Sequence, residues 1–65
     1  MRILVNGDWR ETAAGDVAAA LQELGYHDAI VATALNGEFV PTATRRSVPV
    51  REGDRLEVLA PMQGG

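Results

Sequence analysis

Two Asn-Gly dipeptides, Asn6-Gly7 and Asn36-Gly37, place the strongest constraint on what this chain can fold into. Each follows a run of aliphatic or β-branched residues and precedes a second short run of strand-forming residues. A type I′ turn needs positive φ at both central positions, which Asn and Gly tolerate better than other residues. We therefore predict two tight β-hairpins. Their strands are expected over residues 2–6, 8–12, 30–35 and 39–40.

One amphipathic helix is predicted between the two hairpins. Val17, Leu21 and Leu24 recur at the spacing of a single helical face. Asp16 is placed to cap the first turn, because its carboxylate can accept hydrogen bonds from backbone N–H groups that lack partners. Gly25 suits the left-handed position that commonly follows the end of a helix.

The alternating segment Arg55–Leu59 predicts a last strand, which should end before Pro61 because proline cannot donate to a sheet ladder. Residues 42–49 are polar and lack a regular pattern, so we expect an irregular loop there. The order β-β-α-β-β-β predicts an α+β fold of the β-grasp (ubiquitin-like) type. This is a mixed four- to five-stranded sheet packed on one helix, with the last strand beside the first. We assign residues 1–59 to this domain.

The hydrophobic pattern separates a covered face of the sheet from an open one. Leu4, Leu59 and Phe39 are expected on the open face, where exposed apolar side chains would form a partner-docking surface. The residues expected in the core beneath the helix are Ile3, Val5, Val17, Leu21, Leu24, Ile30, Leu56 and Val58.

Composition excludes several kinds of chemistry. Among its 65 residues the chain has no Cys, no Lys and one His, so it can form neither a thiolate nucleophile nor a Cys-ligated metal site nor a lysine Schiff base. His27 beside Asp28 is interpreted as part of a surface connector. We predict no catalytic residue, no metal site and no bound cofactor.

The charge and hydropathy of the chain also limit its partners and its location. The net charge of −3, without a basic stripe, argues against nucleic acid as a partner. No apolar run approaches the length of a membrane span, so we expect no membrane partner and a cytoplasmic location.

The final six residues, Ala60-Pro61-Met62-Gln63-Gly64-Gly65, are the most informative segment for function. We expect residues 60–65 to form a flexible tail, because terminal residues without partners are usually mobile. Gly64 and Gly65 lack Cβ atoms and could pass through a narrow channel. Met62 and Gln63 would thread into the partner with them, which would present the Gly65 carboxylate inside another protein's active site.

Five segments, residues 2–7, 17–25, 31–41, 52–58 and 64–65, together resemble the ThiS family, the sulfur carriers of thiamine thiazole biosynthesis. The resemblance spans the whole chain, although many relatives end in three glycines where this chain has Gln63 before the pair. No single segment is specific, but the set at this spacing is.

The resemblance implies a carrier rather than an enzyme. An adenylating enzyme related to ubiquitin-activating (E1) enzymes would use ATP to convert the Gly65 carboxylate to an acyl-adenylate. A sulfur donor supplied by a cysteine desulfurase relay would then convert the adenylate to a thiocarboxylate. Thiazole synthase would take the sulfur from Gly65 during ring formation.

Three alternatives remain open from the residues. The small subunit of molybdopterin synthase shares the fold and the di-glycine, but those chains are usually longer between the first strand and the helix. A ubiquitin-like protein modifier would use the same activation chemistry. A plain interaction module would have no use for the tail.

Overall fold

The computed structural model of the chain describes residues 1–26 and 30–60, and its elements follow the predicted order. A short 3-10 helix is added between the fourth and fifth strands. The elements are β1 (Arg2–Val5), β2 (Asp8–Glu11), α1 (Val17–Glu23), β3 (Ala32–Leu35), β4 (Glu38–Val40), the 3-10 helix (Thr42–Ser47) and β5 (Arg55–Leu59).

The five strands form one mixed sheet in the order β2-β1-β5-β3-β4. Strand β5 lies in the centre, parallel to β1 and antiparallel to β3. The two hairpins flank it on either side, each as an antiparallel pair. This arrangement confirms the α+β prediction of a β-grasp fold with the last strand beside the first.

Both Asn-Gly dipeptides form the predicted turns. Asn6 and Asn36 have φ values of 49° and 52°, and the glycines that follow have values of 88° and 84°. Positive φ at both central positions is the geometry of the type I′ turn, whose twist matches that of the flanking strands.

Helix α1 begins and ends at the residues that the sequence indicates. The Asp16 side chain accepts a hydrogen bond from Ala19 N at 2.8 Å, as an N-cap residue should. At the other end Gly25 has a φ of 92°. Gly25 N donates to Gln22 O and Tyr26 N to Leu21 O, the pair of bonds that defines a Schellman motif.

The core lies between α1 and one face of the sheet, and most of the predicted residues are in it. Leu24 is only partly buried. The prediction for Ile30 was wrong, since its side chain is 84% exposed. Strand β3 starts at Ala32, and the alternation buries Val31 and Thr33, which leaves Ile30 out of the core. The buried hydrophobic residues are Ile3, Val5, Ala14, Val17, Ala20, Leu21, Val31, Val40, Val50, Leu56 and Val58.

The segment predicted as an irregular loop is instead largely helical. Thr42–Ser47 forms the 3-10 helix, which packs beside α1. Arg45 connects it to the sheet by donating to Val31 O at 2.6 Å and to Thr33 Oγ1 at 3.3 Å. A long-range side-chain contact therefore anchors this segment to the sheet.

Among the described residues, no helix has both the length and the apolar character needed to cross a membrane.

Candidate functional site

Strand β5 leads to the segment that the sequence singles out for function. The strand ends at Leu59, and Ala60 follows as an exposed residue outside regular structure. The predicted tail residues Met62, Gln63, Gly64 and Gly65 lie outside the described residues. Their roles therefore remain predictions, whereas the point at which the chain leaves the sheet is defined by the end of β5.

The end of β5 is held by the side chain of Asn6, which the sequence indicates only as a turn residue. Asn6 Nδ2 donates to Val58 O at 3.0 Å, and Val58 N donates to Asn6 Oδ1 at 2.8 Å. This contact depends on the parallel register of β1 and β5, which no local pattern specifies. Sequence reasoning therefore missed Asn6 as a residue of the site.

Two of the three predicted docking residues meet on the open face. Ala34 pairs with Phe39 across β3 and β4, and Ala32 pairs with Leu59 across β3 and β5. The small alanine side chains leave a shallow pocket of about 120 Å³ between these strands. Phe39 and Leu59 line this pocket and are 70% and 69% exposed.

Leu4, the third predicted docking residue, lies apart from the other two on β1. It is half-buried and pairs with Trp9 of β2 and with Arg55 of β5. Trp9 is 53% exposed, and the Arg2 guanidinium stacks 4.9 Å from its ring centroid. The open face thus has two apolar regions, one around Phe39 of β4 and Leu59 at the end of β5, and the other around Leu4 of β1 and Trp9 of β2.

Charged side chains of β5 separate the two apolar regions. Arg55, Glu57 and Leu59 occupy every second position of the strand, so all three project from the same face as Leu4. Glu57 lines the pocket beside Phe39 and also the neighbouring pocket beside Leu4. An apolar surface with a central polar strip can form both hydrophobic contacts and oriented hydrogen bonds with a partner.

The part of the chain that the structure describes contains no group of three or more His, Cys, Asp or Glu side chains able to hold a metal ion. His27 and Asp28 lie outside the described residues. What the described residues offer is a surface for contact and a defined exit point for the chain.

Comparison with known proteins places this geometry in a family. The sequence model of the ThiS family matches residues 3–65 of this chain. A crystal structure of a thiamine biosynthesis protein (ThiS) from Geobacter metallireducens superposes with a TM-score of 0.84. The match covers 100% of both chains at 30% sequence identity.

A curated protein from Paramagnetospirillum magneticum, named thiazole synthase, is 39% identical to this chain over 66 residues. The match covers the whole of this chain but only 20% of that protein, so the chain spans about a fifth of its length. Because the family model covers nearly the whole chain, the chain belongs to the ThiS family, which supports a role as a sulfur carrier in thiamine biosynthesis.

Proposed function

We propose that the chain carries sulfur as a thiocarboxylate on Gly65 and delivers it for formation of the thiazole ring of thiamine, in the cytoplasm. Family membership over residues 3–65 is the observation that supports this proposal most strongly. The composition agrees with it, because a chain without Cys has no side-chain thiol on which sulfur could be carried.

A carboxylate must be activated before it can accept sulfur. In the proposed first step, a Gly65 carboxylate oxygen attacks the α-phosphate of ATP on an E1-like adenylating enzyme, forming an acyl-adenylate and releasing pyrophosphate. A persulfide sulfur from a cysteine desulfurase relay then attacks the acyl carbon, and AMP leaves. A thiol then attacks the donor's sulfur in the resulting acyl disulfide and breaks its S–S bond, which forms a new disulfide with the donor and frees the thiocarboxylate. This chain contributes the acceptor group and a surface for docking, and the partner supplies ATP and the catalytic groups.

The open face of the sheet is the proposed docking surface for these partners. Phe39 and Leu59 are large, exposed and close to the end of β5, so a partner that covers them is well placed to receive the residues after Ala60. Leu4 and its neighbour Trp9 would extend the contact across β5. Tail residues Met62, Gln63 and Gly64 would then occupy a channel that leads to the partner's active site.

Thiazole synthase is the proposed acceptor of the sulfur. A segment 39% identical to this chain is part of a curated protein that carries that name. Two units joined in one polypeptide are held at a high effective concentration, which favours direct transfer between them. This arrangement in a relative supports direct contact between the present chain and a thiazole synthase.

The decisive test is an intact-mass measurement. The chain ending at Gly65 is incubated with its adenylating enzyme, ATP and a sulfur source. We expect the mass to increase by the difference between one sulfur and one oxygen atom. The control is a variant with one residue appended after Gly65, which should fold normally and gain no sulfur.

A native chain that never gains sulfur, or an extended chain that gains it equally well, would overturn the proposal. Complementation distinguishes this carrier from its nearest rival. The gene should restore growth of a strain that lacks the thiamine sulfur carrier and should fail in a strain that lacks the molybdenum-cofactor carrier. Covalent attachment to other proteins in a cell extract would instead favour a protein modifier.

A further inference from the structure

The two edges of β5 are held in different ways at the end from which the chain leaves the sheet. On the β3 side, backbone pairing continues to the last residue of the strand, where Leu59 lies opposite Ala32. On the β1 side, the paired residues end at Val5 and Leu56, because β1 turns away at Asn6. The last backbone hydrogen bond on that side runs from Asn6 N to Leu56 O at 3.0 Å.

The Asn6 side chain takes the place of the missing strand. Its amide accepts from Val58 N at 2.8 Å and donates to Val58 O at 3.0 Å, so both backbone groups that face β1 are satisfied. Both bonds are partly buried, which makes the loss of either one more costly than at an exposed site.

The chemistry of this contact explains why Asn stands at position 6. Gly, Asp and Asn all tolerate the positive φ that the turn requires. Only Asn has both a donor and an acceptor on its side chain, since an ionised Asp only accepts and Gly can do neither. The Asn6 amide is therefore specifically matched to the two backbone groups of Val58.

We propose that Asn6 is a positioning residue that fixes the direction in which the C-terminal segment leaves the sheet. The inference rests on the proposed function, in which the group on Gly65 must enter a partner's active site. Val58 lies two residues before Ala60, where the proposed tail begins. A backbone fixed at Val58 gives the residues that follow a defined starting point, which favours placement of the Gly65 carboxylate at the reacting position in the partner's active site.

A matched control is built into the other hairpin. Asn36 has the same turn position and nearly the same φ, 52° against 49°. Its amide Oδ1 accepts from Arg55 N at 2.9 Å, and its Nδ2 donates to Asp54 Oδ1 at 3.1 Å. Asn36 thus holds the first residue of β5, at the end remote from the tail.

The test compares Asn6→Gly with Asn36→Gly. Glycine keeps both turns accessible, so each variant loses only its amide contacts. Stability is measured by urea unfolding, and sulfur transfer is measured as the initial rate of thiocarboxylate formation at a temperature where each variant is folded. Hydrogen exchange at the Val58 amide reports the contact itself and does not depend on any activity.

In Asn6→Gly, we expect faster hydrogen exchange at the Val58 amide. The kcat for thiocarboxylate formation should fall by at least about fivefold. KM should stay within about twofold of the native value, because the docking surface is unchanged. Asn36→Gly should leave kcat within about twofold of the native value. Asn6→Asp keeps the acceptor for Val58 N but sets a carboxylate oxygen against Val58 O, so it too should lower kcat relative to the native chain, and it serves if the glycine variant does not fold.

Equal kcat values for the two glycine variants, or unchanged Val58 exchange in Asn6→Gly, would overturn the positioning role. If the native chain is never thiolated, the proposed function fails instead, so the two failures are distinguishable.

Discussion

The guanidinium group of Arg45 lies against the buried hydroxyl of Thr33, with Nε donating to Oγ1 at 3.3 Å. The same hydroxyl donates to Val40 O at 2.9 Å, and Arg45 Nη2 donates to Val31 O at 2.6 Å. One side chain from the 3-10 helix therefore joins the backbone just before β3 to a hydroxyl that also contacts β4. This polar network lies at the edge of an otherwise hydrophobic core.

We expect Thr33→Val to lower the free energy of unfolding by about 1–2 kcal/mol, although valine nearly matches threonine in volume. Thr33 is 2% exposed, so the substitution leaves Arg45 Nε without its buried partner. Urea unfolding followed by circular dichroism measures the change. The control is Thr42→Val at an exposed position of the 3-10 helix, which should change stability by less than about 0.5 kcal/mol. Equal effects at the two positions would show that the network adds no stability.

Two isoleucines offer a matched comparison of burial. Ile3 is 1% exposed in the core, whereas Ile30 is 84% exposed. We expect Ile3→Val to lower the free energy of unfolding by about 1 kcal/mol, because it removes one buried methylene group from a packed site. Ile30→Val, the same chemical change in solvent, should have almost no effect. Denaturant titration of both variants checks the pair, and a substantial loss at position 30 would contradict the burial assignment.

The elements that the sequence predicts correctly depend on neighbouring residues. The turns at Asn6-Gly7 and Asn36-Gly37 follow from the φ values those residues tolerate, and the ends of α1 follow from Asp16 and Gly25. Each of these features is determined within a few residues, so local chemistry is sufficient to predict it.

Features that depend on register or distant contacts do not follow from local sequence. The hydrophobicity of Ile30 predicts a core position, but the alternation fixed by Thr33 excludes it from the buried set. The 3-10 helix was not predicted, because residues 42–49 have no regular pattern. Its tether, Arg45, forms hydrogen bonds to residues 12 and 14 positions earlier in the chain. In the same way, the sequence predicts the exposure of Phe39 and Leu59 but not the contact between Asn6 and Val58.

Gly37 and Gly15 should respond differently to replacement by alanine, because of the two only Gly37 has a positive φ. Gly37 has a φ of 84°, where an alanine is strained whatever the surrounding space. Gly15 lies outside the left-handed region, and apart from its chain neighbours no heavy atom lies within 4 Å of the point that an alanine Cβ would occupy. We expect Gly37→Ala to lower the free energy of unfolding by about 1–2 kcal/mol. Gly15→Ala should leave it unchanged or raise it by less than about 1 kcal/mol. Thermal or urea unfolding measures both, and similar losses at the two positions would contradict this explanation.

The proposed docking face predicts variants that impair binding without impairing folding. Phe39→Ser and Leu59→Ser replace exposed side chains, so each should change the free energy of unfolding by less than about 0.5 kcal/mol. If these side chains are buried by the partner, each substitution should weaken binding to the adenylating enzyme by at least about fivefold, a loss of about 1 kcal/mol. Calorimetry or surface plasmon resonance gives the dissociation constants. Gln22→Ala on the exposed side of α1 is the control and should bind like the native chain. Equal weakening by Gln22→Ala would contradict the assignment of the docking surface to the open face of the sheet.

The proposed threading of the tail predicts that Gly64 is more sensitive to substitution than Gln63. Valine at position 64 adds a branched side chain and restricts φ, whereas a channel that accepts Gln63 should also accept the smaller alanine. We expect Gly64→Val to slow thiocarboxylate formation by at least about tenfold and Gln63→Ala by less than about threefold, because misplacing a reacting group is costly even when binding persists. Intact-mass kinetics measure both rates, and unfolding curves that match the native chain would assign the loss to the tail. Comparable rates for the two variants would mean that the partner does not enclose the di-glycine closely, and sulfur transfer would then have to occur in a more open site.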